Sequence, residues 1–263
     1  MKIRKHPKSV QARRLRSTGG GSPTPTLPLL RLHVAAAEVS DAAGIPVWKR
    51  TLDLACLVLL LPATLVLTAL IAVAIKTVSP GPVFFKQERV GRRRARFICL
   101  KFRTMKTGVD TGAHREHVRD LMRSDMSMTK MDAAGDARLI PFGAMLRATG
   151  LDELPQLLNV WRGEMSLVGP RPSLPYEVEN FLPWQQARFD TAPGLTGLWQ
   201  VSGKNGTTFK EMVELDVHYA RNKSLGMDLA ILGRTFFVLM AQVSRALTRG
   251  AQARGAARVS IDG

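Results

Sequence analysis

The sequence predicts a mainly α protein with a small β-hairpin, held to a membrane by one N-terminal re-entrant helix broken at Pro62. Three observations carry that prediction. From Leu54 to Ile75 there are 22 consecutive residues without a charge, enough at ~1.5 Å per residue to cover the ~30 Å of bilayer hydrocarbon. Two β-rich runs, Val83–Val90 and Arg96–Phe102, flank a Gly/Arg loop and read as a hairpin. Over 141–162, on either side of Gly150, and again over 226–247, the apolar spacing is helical.

Composition narrows the function class without choosing it. The chain has 263 residues, 45% of them apolar, which is long and apolar enough to bury a core and excludes a disordered tail protein. Its two cysteines, Cys56 and Cys99, exclude a disulfide scaffold or a cysteine zinc site. A formal charge of +17 points to an anionic partner: nucleic acid, a membrane surface or a phosphorylated substrate.

Along the chain, residues 1–47 read as a disordered basic arm, because the first 50 residues carry ten Lys/Arg against two acids and few apolar side chains. Residues 48–76 form the membrane segment, which starts too late and lacks the cleavage pattern of a secretory signal. Pro62 removes a backbone hydrogen bond eight residues into the uncharged run. Bases flank both ends, Lys49-Arg50 before and Lys76 after. A simple span would place one basic flank outside, against the positive-inside bias, so a helix that turns at Pro62 and returns suits the charges better. Each half is then short, and its backbone must be covered by protein or lie shallow. The alternative for this run is a buried core helix.

A turn at Ser79-Pro-Gly-Pro82 leads into the hairpin. Between Lys106 and about Arg138 the chain is a polar excursion with a helix near 114–123. Leu151-Asp-Glu-Leu-Pro-Gln-Leu-Leu158 looks like a fresh helix start, with Asp152 at or beside the N-cap and Pro155 in the first turn. Gly169-Pro-Arg-Pro172 and Pro193-Gly-Leu-Thr-Gly197 read as rigid loops, and 226–247 as an amphipathic helix at the membrane surface. Residues 77–247 thus form the main domain and 248–263 a flexible tail.

The residues with chemical promise are few. At a helix start, partial positive charge favours ionised Asp152 and Glu153, as a nucleophile or a metal ligand. Taken alone, an acidic dipeptide there is most often plain capping. Lys101 and Arg103, at i and i+2 of a strand, point to one face, as an anion clamp needs; a solvated strand face is the alternative. Arg171 sits between Pro170 and Pro172, which lowers the entropy cost of presenting its guanidinium to a phosphate. No P-loop or dinucleotide fingerprint is present. His114 and His117 lack a third zinc ligand. The five arginines within Arg89–Arg96 suit lipid headgroups better than nucleic acid, since aromatic interleaving is thin.

Seven stretches together resemble a known family. They are Trp48-Lys-Arg-Thr-Leu-Asp53, Gly81-Pro-Val-Phe-Phe85, Lys101-Phe-Arg-Thr-Met105, Leu151-Asp-Glu-Leu-Pro-Gln-Leu-Leu-Asn159, Arg162 through Pro172, Pro193 through Gly203, and Leu215-Asp216. In this order they resemble the bacterial sugar transferases, the monotopic polyprenyl-phosphate hexose-1-phosphate transferases that include exopolysaccharide initiators. The resemblance runs from about 48 to 240.

It implies a Mg2+-dependent transfer of hexose-1-phosphate from a UDP-sugar, galactose or glucose favoured, to undecaprenyl phosphate. Asp152 would be the covalent nucleophile, with UMP released, and Glu153 would help hold the metal, with Asp216 and Asp228 matching further acidic positions. Lys101, Arg103, Arg147 and Arg171 would supply cations for substrate, alongside Pro170, Pro172, Gln200 and Lys204 in the matching motifs. Lys204 stands where the family commonly has Arg, which keeps charge and loses bidentate geometry. Leu61 precedes Pro62 where the family often has Ser, and His218 stands where an aromatic residue is common. Membrane lipids are implied partners, nucleic acid is not, and the catalytic domain belongs at the cytoplasmic face of the bacterial inner membrane, with interfacial amphipathic helices. The competing class is a non-enzymatic membrane-tethered basic protein that binds nucleic acid or anionic lipid.

Overall fold

A computed structural model describes residues 44–107, 112–124, 126–127, 138–203 and 206–259. The basic arm lies almost wholly outside the described residues, as does Lys204.

The uncharged run forms one helix, α1 (Val47–Val78), which begins after Pro46 and ends at extended Ser79. Helical backbone continues through Pro62, so the proline expected to break the helix does not end it. A proline deletes one hydrogen bond and crowds one carbonyl, a disturbance that a long helix can absorb. Thr64 contributes locally, its hydroxyl donating toward the carbonyls of Leu60 and Leu61.

Both ends of α1 dock on the same compact body. At the N-terminal end, Arg50 donates to the carbonyls of Val160 and Trp161. Asp53 accepts from the Ser166 hydroxyl and the Leu167 amide. At the other end Ile71 and Ile75 are buried with Phe102, Ile140 and Leu146. Between them, every residue from Val58 to Ala63 is exposed.

The hairpin follows the sequence expectation. Strand β1 (Phe84–Val90) pairs antiparallel with β2 (Arg96–Phe102), from Phe84 opposite Phe102 to Val90 opposite Arg96. The excursion's helix is α2 (Gly112–Arg123). Then come α3 (Gly143–Thr149), a 3₁₀ helix (Leu151–Gln156) and α4 (Leu157–Arg162). Gly150 separates the first two at φ 75°, a left-handed junction that suits glycine. The expected helix start at Leu151 is therefore a 3₁₀ turn that becomes α-helical only past Pro155.

A second small sheet forms where none was expected, one strand just before the Gly169–Pro172 loop and the other inside the segment 193–197 expected to be a loop. Strand β3 (Ser166–Val168) runs parallel to β4 (Gly194–Thr196), separated in sequence by α5 (Pro175–Val178) and a 3₁₀ helix (Pro183–Asp190). Glycine makes the approach possible. A Cβ on Gly169 would overlap the Ala192 carbonyl and approach Gly194 N, and one on Gly194 or Gly197 would overlap Gly169 backbone. The two glycine-containing motifs are thus two halves of one backbone contact.

The chain closes with α6 (Leu198–Val201), α7 (Phe209–Asn222) and α8 (Leu225–Val259). Thr208 and Glu211 form a reciprocal cap at the start of α7. The last helix continues past residue 247, so the tail expected to be flexible is helical as far as Val259. Val47–Val78 and Leu225–Ser244 are each long and apolar enough to cross a membrane. Along α8, Leu229, Phe236, Phe237 and Met240 are exposed.

Candidate active site

The acidic pair lies in the first turn of the Leu151–Gln156 helix, where Asp152 and Glu153 are partly exposed. Strand β2 packs along this turn and puts Lys101 within 2.6 Å of Glu153. Asn159 fixes the relative placement of the two elements. Its buried side chain accepts from Leu100 N and donates to Ile98 O and to Glu164, tying α4 to the edge of β2.

Arg171 stands in a frame in which the backbone polar groups are accounted for one by one. Gly194 N donates to Pro170 O. Arg171 N donates to Asp216, and Arg188 donates to both Arg171 O and Asp216. Pro172 O accepts from Arg89, and Ser173 pairs with Val90 through both its backbone groups. Two prolines and this set of bonds leave the loop little freedom. The Arg171 guanidinium is held in turn by Glu177, with Nη1 at 3.1 and 3.0 Å from the two carboxylate oxygens.

One buried atom shows that the acidic pair and this frame share a neighbourhood. Burial pushes the Cys99 thiol up from its ordinary value, and Lys101, Arg89, Glu153 and Arg171 are all close enough to act on it. Glu153, Lys101 and Arg171 thus all lie within electrostatic reach of Cys99 on β2. Burial likewise raises Asp216 to about 6, against the opposing pull of Arg188. Arg89 is lowered to about 10 by burial and by the Arg171 charge.

Several expected site residues go elsewhere. Arg103 does not join Lys101 as a clamp: the strand pairing ends at Phe102, and the Arg103 guanidinium donates to the carbonyls of Ser79 and Pro80. Its job here is to pin the turn after α1. The acids named as metal ligands are not gathered. Asp216 is taken by Arg188, and Asp228 is buried against Lys49 and Tyr219. Among the described residues, no three His, Cys, Asp or Glu side chains form a metal cluster. Arg147 projects from α3, the helix that packs against the acidic turn. Gln200 lies on α6, with its Oε1 buried and without a hydrogen-bond partner among the described residues. A cavity of about 500 Å3 sits apart from all of these, lined by Arg119, Arg123, Trp184, Phe209 and Lys210.

This arrangement can be set beside known proteins. The family described as "Bacterial sugar transferase" matches residues 45–242. The chain belongs to the bacterial sugar transferases. It is 39% identical over 201 residues to the UDP-galactose-lipid carrier transferase of Erwinia amylovora, covering 73% of this chain and 40% of that protein. It is 38% identical over 187 residues to the exopolysaccharide production protein ExoY of Sinorhizobium fredii, covering 71% and 83%. With the UDP-glucose:undecaprenyl-phosphate glucose-1-phosphate transferase of Caulobacter vibrioides it shares 40% identity over 195 residues, covering 71% and 67%. The chain therefore spans about two fifths of the Erwinia relative and about four fifths of ExoY.

As a sugar transferase, the chain has structural residues that pattern reading passed over. Lys49, Asp53, Arg89, Asn159, Glu177, Arg188 and Tyr219 are all buried, and all but Asn159 and Tyr219 carry an ionisable charge. Lys49, Asp53 and Asn159 do fall inside stretches that carried the family resemblance. What hid their roles is that each acts on a partner far away in sequence, as Lys49 does on Asp228.

Proposed function

We propose that this protein moves a hexose-1-phosphate from a UDP-sugar to undecaprenyl phosphate, the first membrane step of exopolysaccharide assembly. The observation that carries the reading is the Asp152-Glu153 pair at a helix start, with Lys101 against Glu153 and the framed Arg171 reaching the same Cys99 as Glu153, in a chain of this family. The names of the Erwinia and Caulobacter relatives support UDP-galactose or UDP-glucose as the donor.

In the first step a carboxylate oxygen of Asp152 forms a bond to the sugar-side phosphorus. The bond from that phosphorus to the bridging oxygen breaks, and UMP leaves with the electron pair. In the second step an oxygen of undecaprenyl phosphate attacks the same phosphorus, and the aspartyl bond breaks to return the carboxylate. No net proton is needed. Lys101 and Arg171 offset the repulsion between anionic carboxylate and anionic diphosphate.

The residues present fit a magnesium ion in the way such ions usually bind, through one or two carboxylates together with substrate phosphates. Glu153 would hold it, because Asp216 and Asp228 are committed to Arg188 and Lys49. When bound, the ion supplies charge neutralisation on the diphosphate. Lys101 must then exchange Glu153 for substrate, which costs little because both partners of that pair are partly exposed.

A re-entrant placement of α1, with both flanks and the catalytic domain at the cytoplasmic face, accords with two features. Arg50 and Asp53 at one end and Ile75 at the other bind the same body, while the residues around Pro62 are exposed and apolar. Exposed Trp161, Phe236 and Phe237 suit the interface beside it. Tags at residues 1 and 263 should both be shielded from reagents outside intact cells, and labelling of either from outside would refute this placement.

The reaction is tested with membranes containing the protein, undecaprenyl phosphate, magnesium and a panel of UDP-sugars. UMP release with UDP-glucose or UDP-galactose supports the reading. No UMP release with any of the UDP-sugars, from protein shown to be folded, overturns it.

A further inference from the structure

Glu177 is an expensive residue to keep. Its carboxylate is 1% exposed, and an isolated carboxylate at such depth is strongly disfavoured. It is nevertheless held below the usual carboxylate range: burial pushes it up, and the Arg171 and Arg89 charges more than reverse that. Its oxygens are anchored from two sides, by Leu174 N at 2.8 Å and by Arg171 Nη1. Arg171 is correspondingly raised, its burial outweighed by Glu177.

Three arginines lie in this cluster, and they differ in what they do. Arg188 is fully buried and donates to Arg171 O and Asp216. Arg89 is buried and bonds to Pro172 O and Gln87. Arg171 is the open one, 20% exposed, and among the described residues nothing accepts from its Nε or Nη2. Glu177 therefore takes one nitrogen of the guanidinium and leaves the other donors for a ligand. A guanidinium fork whose plane is already fixed loses less entropy when it binds a phosphate.

We propose that Glu177 is a positioning residue for the donor's diphosphate, acting through Arg171. The proposal rests on the function given above, but it makes a separate demand: Glu177 should matter to diphosphate binding only while Arg171 is present. A purely structural cap of α5 would carry no such condition.

The test is a double-mutant cycle on Glu177→Gln and Arg171→Ala, in full-length protein in membranes or nanodiscs. Affinity for UDP is read by titration, and KM and kcat by UMP release from UDP-glucose and UDP-galactose. Glu177→Gln should weaken UDP and raise the donor KM about tenfold, with kcat changed less than threefold. In the Arg171→Ala background it should change UDP affinity less than twofold, the non-additivity expected of two groups acting as one unit. Glu177→Asp, which keeps the charge, should recover part of the loss if Glu177→Gln unfolds the domain. Equal effects of Glu177→Gln in both backgrounds, or UDP affinity unchanged by it, would overturn the proposal. Absence of UMP release by the unaltered protein would overturn the proposed function, and the UDP titrations would still decide the role of Glu177.

Discussion

Lys101 Nζ lies 2.6 Å from Glu153 Oε1, joining strand β2 to the acidic turn of the Leu151–Gln156 helix. The two side chains are 23% and 39% exposed, so the pair contributes little to stability. Its value is in position. It holds a cation beside the acids and can release it to a phosphate at small cost.

The backbone contact between the two glycine motifs should tolerate no side chain. Gly169→Ala and Gly194→Ala force a Cβ into neighbouring backbone, which cannot move aside like a flexible side chain. Both variants should fail to accumulate as folded protein. Gly233→Ala on α8 meets nothing within 4 Å and should be neutral or stabilising by up to ~1 kcal/mol. Thermal melting and expression level in detergent read the contrast.

Lys49 joins the start of α1 to α7 through Tyr219 and to α8 through Asp228, and it is completely buried. Lys49→Met leaves the Asp228 carboxylate without its cation and should cost about 3–5 kcal/mol. Lys49→Met with Asp228→Leu removes both charges and should recover much of that loss. Denaturant unfolding of the single and double variants measures the recovery. Equal instability of the two would show that the charge pair is not what matters.

These two cases mark where the sequence is informative and where it stops. The hairpin was legible because alternation and a Gly/Arg loop are local signals, and the placement of Asp152 and Glu153 in the first turn of a helix because helix starts select for acids. The parallel pairing of β3 with β4 was not, because each strand is three residues long and its pairing rests on backbone closeness between distant glycines. Lys101 and Arg103 show the limit of face counting. Spacing placed them together, but the strand ended at Phe102 and Arg103 turned to cap carbonyls. Asp216 and Asp228 looked alike as free acids until their buried cations, Arg188 and Lys49, were in view.

Stability should carry the signature of Asp216. Its carboxyl is raised to about 6 when folded, above its ordinary 3.8, so the folded protein binds more protons than the unfolded chain between those values. The contribution of this group is full below about pH 4 and is lost as pH rises through 6. Glu177, depressed when folded, acts oppositely: its contribution is present above its ordinary value of 4.5 and lost as pH falls through its folded value. Melting temperatures of the unaltered protein and Asp216→Asn, compared across pH 4 to 7, isolate the first effect. The difference should shift in favour of the unaltered protein toward pH 4, and a flat difference would contradict it.

The central claim is that Asp152 becomes covalently linked to the sugar phosphate. It is tested most directly by incubating the protein with magnesium and UDP-galactose or UDP-glucose, without undecaprenyl phosphate, and measuring the mass of the peptide that contains residue 152. The account predicts an added hexose phosphate on Asp152, discharged when undecaprenyl phosphate is supplied and missing from Asp152→Asn. An adduct on another residue, or one that survives in Asp152→Asn, would contradict it.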